Sequence, residues 1–173
     1  MPQVSGFDYV KSWAGLLKIA EFFTLLIAFS CLADFSNKSE NNGSFKFFLF
    51  VTITAWLITM FLFCIFASGV QDRVSINWTF AMTIYSATVV FLLVISTSLV
   101  AEKARKFRRS VRKVDSIFVD TCDVYDKKGV PCRNVEAAVV FGFLAAALFI
   151  TDAAFYFMEH RTTTAGSGDD QAG

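Results

Sequence analysis

Apolar positions in this chain gather into four runs, Trp13–Ala33, Phe47–Ala67, Trp78–Val100 and Ala137–Met158, with polar segments between them. Each run has the roughly twenty residues that an α-helix needs to cross the hydrocarbon layer of a bilayer. Backbone amides in that layer have no water to bond, so only helices or a closed barrel can span it. The runs are too long and too uniformly apolar for barrel strands, whose residues alternate. The pattern therefore predicts an all-α integral membrane fold, an antiparallel bundle of four transmembrane helices joined mostly by short connections.

The polar segments set the domain plan. Residues 1–12 form a short tail and residues 13–160 hold the four spans. Asp34–Lys46 has turn composition, and Gly69–Asn77 is a tight polar link. Ala101–Glu136 is the one sizeable loop, and residues 161–173 (R-T-T-T-A-G-S-G-D-D-Q-A-G) have the composition of a disordered tail. A cleaved secretory leader is the rival reading of the first run. That run is too long, carries Lys18 and Glu21, and offers only Cys31-Leu32-Ala33 as a weak cleavage sequence.

Composition agrees with a single bundle. Of 173 residues 55% are hydrophobic, and 21 phenylalanines exceed what a soluble core of this size absorbs. A net charge of +1 gives no reason to expect a nucleic-acid partner.

Charge inside the runs is scarce. Only Lys18, Glu21 and Asp152 interrupt them, and a charge kept inside a span is costly enough to need a reason. Lys18 lies roughly 8 Å inside the start of the first run and Asp152 roughly 9 Å from the end of the fourth, at about 1.5 Å per residue. With first and last spans antiparallel, the two stand level. Glu21 follows Lys18 on the same helix face. The expectation is an interhelical charge cluster in which Lys18 pairs with Asp152 and shares Glu21. The alternatives are a snorkelling lysine beside protonated or wet acids, and a proton or ion path.

Other motifs are weaker. Ala138, Gly142 and Ala146 repeat at steps of four, a small-residue stripe that admits another helix closely. Packing within the chain, a partner's span and self-association into a homo-oligomer all satisfy it. Lys18-x-x-x-Phe22-x-x-Leu25 is a loose inverted cholesterol pattern, which raises a cholesterol-rich bilayer as a setting. Cys31 and Cys64 sit inside spans, where thiols usually pack as small apolar groups. Cys64, near one end, is also a palmitoylation candidate. Val100, Ala104, Phe107, Val111, Val114 and Phe118 recur at alternating steps of four and three, predicting that the third helix runs on into the loop. Lys103, Arg105, Lys106, Arg108, Arg109, Arg112 and Lys113 fill the other positions, a candidate basic surface for anionic lipid, glycan or an acidic partner.

Nothing in the sequence assembles a catalytic or metal site. The lone His160 lies at a charged edge, and there is no Cys-x-x-Cys pair or phosphate-cradling glycine loop. A non-enzymatic protein without cofactor or metal is expected.

The signals for sidedness conflict. Twelve of the sixteen Lys and Arg residues lie in the first and third loops, which the positive-inside rule assigns to the cytoplasm. Cys122 and Cys132, separated by nine residues in the third loop, form a candidate disulfide, which needs an oxidising compartment. Asn37-Lys38-Ser39 and Asn42-Gly43-Ser44 are N-glycosylation sequons in the first loop.

Three stretches resemble the MARVEL-domain proteins, most nearly the chemokine-like-factor (CKLF-like MARVEL transmembrane) branch. They are Gly15-Leu-Leu-Lys-Ile-Ala-Glu21 leading into Leu-Leu-Ile-Ala-Phe29, Ile76-Asn77-Trp78, and Glu136-Ala-Ala-Val-Val-Phe-Gly-Phe-Leu-Ala145. They cover spans one, three and four; span two fits by hydropathy. The resemblance implies both termini in the cytoplasm and two external loops, in agreement with the cysteines and sequons. It implies a multi-pass scaffold of the plasma membrane and of endosomal and secretory vesicles. Such a scaffold organises lipids and other transmembrane proteins in vesicle trafficking and membrane apposition. Cell–cell adhesion or fusion through the basic loop, and a small proton- or ion-coupled transporter using the intramembrane acids, are the alternatives. The long basic third loop departs from the family pattern.

Overall fold

The computed structural model describes residues 7–38, 43–70, 77–109, 111–114, 117–120 and 133–169. Its elements are α1 (Phe7–Lys11), α2 (Trp13–Lys38), α3 (Gly43–Ala67), α4 (Trp78–Arg109), β1 (Val111–Val114), β2 (Ile117–Asp120) and α5 (Arg133–Asp169). Among the described residues, four helices are long and apolar enough to cross a membrane, over Trp13–Ala33, Gly43–Ala67, Trp78–Lys106 and Arg133–Glu159. The protein is an almost entirely helical four-span membrane bundle.

Local chemistry sets where these helices begin and end. Ser12 precedes α2 and caps it, its hydroxyl accepting from the Gly15 amide at 3.2 Å. The same hydroxyl donates to the Tyr9 carbonyl at 2.6 Å, which folds α1 back on the first turn of α2. Gly15 has no room for a side chain, because a Cβ there would run into the Tyr9 carbonyl. The α3 helix ends where Gly69 takes φ 67°, a left-handed conformation that glycine adopts without steric cost. Asn77 opens α4, its side-chain oxygen accepting from the Phe80 amide at 3.2 Å.

The helices form a ring in sequence order. The α2 helix packs on α3 and α5, and α4 packs on α3 and α5, so the first and last spans close the circle. Three apolar layers fill it. Ala28, Leu32, Phe35, Phe45, Phe48, Val100, Val135 and Ala138 form one end. Leu25, Val51, Ala55, Val89, Leu93, Ala145, Ala146 and Phe149 form the middle. Tyr9, Phe66, Met82 and Tyr156 form the other end. Early α2 residues meet late α5 residues throughout, so the two run antiparallel.

Four features differ from the sequence expectations. Helix continues through Lys38 and resumes at Gly43, so most of the segment with turn composition is helical. The α5 helix runs to Asp169, through the stretch expected to be disordered. The α4 helix stops at Arg109. Beyond it, Val111–Val114 and Ile117–Asp120 pair as an antiparallel hairpin, with Val111 opposite Asp120 and Val114 opposite Ile117. This overturns the helical stripe through Val111, Val114 and Phe118 and is, among the described residues, the one departure from an all-α chain. Two four-residue stretches rich in valine, isoleucine and phenylalanine favour strands. Each strand also supplies the other's backbone partners.

Candidate functional site

The polar centre of the bundle begins with spacing on one helix. Lys18 and Glu21 are three residues apart on α2, hence on one face, and that face is the closing seam with α5. The Lys18 ammonium donates to Glu21 Oε2 at 2.9 Å and to Asp152 Oδ2 at 2.8 Å. A third helix joins them, since the Ser86 hydroxyl of α4 donates to the same Asp152 Oδ2 at 2.6 Å. Lys18 is 1% exposed, and Glu21, Asp152 and Ser86 are wholly buried. The lysine does not snorkel: its ammonium sits 5.3 Å from the centre of the Phe149 ring and 5.9 Å from that of Tyr85. Both rings offer a negative face to the cation.

Aromatic and hydroxyl groups hold this cluster in place. Tyr85 donates to the Ala55 carbonyl at 3.1 Å and pairs with the Thr59 hydroxyl at 3.0 Å, which ties α4 to α3. Tyr85 also stands edge-on to Phe149 at 6.1 Å. Tyr9 of α1 covers the end of the bundle beyond the cluster, stacked on Phe66 at 5.3 Å. Two carboxylate oxygens, Glu21 Oε1 and Asp152 Oδ1, are buried with no hydrogen-bond partner.

Ser86, Tyr85, Thr59 and Phe149 are absent from the sequence reading. Span three carries several hydroxyl residues, Thr79, Thr83, Ser86, Thr88, Ser96, Thr97 and Ser98 among them. Thr83, Thr88 and Ser96 bond carbonyls of their own helix, at 2.9, 2.8 and 3.2 Å. Nothing in the sequence marks Ser86 as the one that faces an acid.

The remaining candidates are scattered. Ala138, Gly142 and Ala146 all point into the bundle. A Cβ on Gly142 would lie 2.7 Å from Thr97 Oγ1 and 3.1 Å from Phe48 Cε2, so this stripe is occupied by α4 and α3 of the same chain. Cys31 is half-buried and Cys64 exposed. Arg105 and Lys106 are exposed and Lys103 half-buried on the extension of α4. Lys106 pairs with Glu102 at 2.6 Å, a solvent-exposed contact of little energetic weight. Arg108 and Arg109 end α4, and Arg112 and Lys113 lie on β1. Asn37 belongs to the last turn of α2. Asn42, Cys122 and Cys132 lie outside the described residues. Among the described residues no group of three or more His, Cys, Asp and Glu side chains is placed to hold a metal ion.

No solved structure matches the chain. The family model of the MARVEL membrane-associating domain matches residues 9–155. That match begins at Tyr9 and ends three residues beyond Asp152, so it takes in all four spans and the whole buried cluster. The chain is an integral membrane protein and belongs to the MARVEL family.

Proposed function

We propose that this protein is a membrane scaffold of the chemokine-like-factor branch of the family. It organises other transmembrane proteins and the surrounding lipid in vesicle trafficking and membrane apposition, with both termini in the cytoplasm. The observation that carries this reading is the outer surface. Phe23, Phe50, Phe61, Phe80, Phe91 and Val140 are each more than half exposed and apolar. A belt of this kind meets lipid or another span. The buried charged side chains Lys18, Glu21 and Asp152, by contrast, are engaged with one another at the closing seam.

Proximity labelling in intact cells tests the proposal. Reproducible enrichment of a defined set of membrane proteins over a bulk membrane marker is the expected result. A neighbourhood indistinguishable from that marker's overturns it. A transporter reading predicts instead that Asp152→Asn abolishes flux while surface delivery and neighbours stay unchanged.

The exposed Arg105 and Lys106 favour a second reading, adhesion or fusion through the basic region after span three. Neutralising Arg105, Arg108, Arg109 and Arg112 together tests it. Unchanged cell–cell and glycan binding removes that role.

A further inference from the structure

The buried cluster holds one more acid than base. Lys18 is the one cation among the buried described residues, and both groups that bond it are carboxylic acids. The other ionisable side chains facing the cluster are phenols: Tyr9 from α1, Tyr85 from α4 and Tyr156 from α5. Phenols carry no charge near neutral pH. With Glu21 and Asp152 both ionised, the centre of the bundle would keep an unbalanced negative charge in a layer without water. A buried ionisable group in that position neutralises itself rather than bear the cost.

The hydrogen bonds say which acid does so. Asp152 Oδ2 accepts two donors, Lys18 at 2.8 Å and Ser86 at 2.6 Å. Glu21 Oε2 accepts only Lys18, at 2.9 Å. Asp152 is thus the better-solvated anion. The second oxygen of each acid, Glu21 Oε1 and Asp152 Oδ1, is buried without a partner. An ionised carboxylate can only accept, so two ionised acids leave both oxygens unsatisfied; a protonated one becomes a donor. One proton therefore removes the surplus charge and turns one of the two unpartnered oxygens into a donor.

We propose that the cluster is a proton-binding site in which Glu21 holds one proton at neutral pH. Asp152 is the ionised partner of Lys18, and the proton lies on Glu21 Oε1, the oxygen that Lys18 does not bond. The buried cluster then carries no net charge. This goes beyond the scaffold reading and does not rest on it.

Infrared spectroscopy of the full chain in phosphatidylcholine nanodiscs tests the assignment, because the carbonyl stretch of a protonated acid stands apart from carboxylate bands. The expected result is one such band at neutral pH. It shifts when glutamate carries a ¹³C carboxyl and stays when aspartate does. These measurements use the wild-type protein, so they do not depend on a variant folding. No band at neutral pH overturns the proposal, and so does a band that moves with aspartate labelling. A melting temperature that depends on sodium or potassium, without an acid band, assigns the balancing charge to a metal cation and also overturns it.

Variants add a second arm. Glu21→Gln replaces a neutral acid by a neutral amide, so it should lose the band yet melt close to wild type. Lys18→Met should raise the acid band about twofold, since both acids then neutralise. A Glu21→Gln protein that melts as low as Asp152→Asn contradicts the proton on Glu21.

Discussion

Lys18 is among the largest fully buried side chains of the protein, although its charge is the kind of group that a hydrocarbon layer excludes. It is tolerated because two carboxyl groups and two aromatic rings surround the ammonium. Such an arrangement contributes little net stability but is expensive to break from one side, at about 3–5 kcal/mol. Lys18→Ala and Asp152→Asn should each lower detergent-solubilised stability by about that amount. Made together they should cost clearly less than the sum, because the second change removes a group whose partner the first has already taken away. Additive losses in a double-mutant cycle sink the clasp. Ser86→Ala should cost about 1.5–3 kcal/mol by the same melting assay, since it removes a hydrogen bond to a charged oxygen. Loss of less than about 0.5 kcal/mol places Asp152 in some other environment. At this scale the sequence shows the ion pair better than its surroundings. Counting residues inward from two span ends brings Lys18 level with Asp152. No comparable count selects Ser86 or Tyr85, because the rotation of α4 about its own axis comes from packing.

Among the elements, close approach is what individual glycines decide. Gly142 lets α5 lie against Thr97 of α4, where an added Cβ would meet both branches of the threonine. Gly142→Ala should lower the melting temperature, and Thr97→Ala in the same chain should restore much of the loss by clearing that space. A Thr97→Ala change that leaves the Gly142→Ala defect untouched shows that the strain lies elsewhere. Gly15 acts on backbone instead, since its neighbour is the Tyr9 carbonyl, which cannot rotate away. Gly15→Ala should displace α1 and speed amide hydrogen exchange over Phe7–Lys11, with the spans themselves unchanged. Equal protection in both proteins removes that account of the α1–α2 turn. Element boundaries were the least legible part of the chain. The span lengths follow from hydropathy, whereas helix also occupies polar residues to Lys38 and Asp169, where turn and tail composition carries no apolar periodicity. The strands after Arg109 were hidden for a related reason. Apolar residues every three or four positions fit a helical stripe, and the hairpin is chosen only when two short β-branched stretches can pair.

The molecule as a whole is a closed ring of four antiparallel helices with its charged seam between first and last. Closing the ring at the seam of α2 and α5 makes every span touch two others and leaves an apolar exterior. The proposed orientation places the third loop outside the cell, in an oxidising environment. Mass analysis without reductant should then find Cys122 and Cys132 joined, two hydrogens lighter than the dithiol. Two free thiols in protein taken from intact cell membranes argue for the opposite orientation.

The sequence by itself determined that the chain crosses a membrane four times as helices, because transfer of long apolar runs and the demand for internal backbone pairing are summed over each segment. It also set the depth of each charge along its span, since helical rise is nearly constant. Only the tertiary structure decided which faces meet. Helix rotation, the seat of Ser86 beside Asp152, the use of Gly142 by Thr97 and the hairpin after Arg109 depend on contacts between residues far apart in the chain. Those contacts are settled by packing and pairing, which no local pattern encodes.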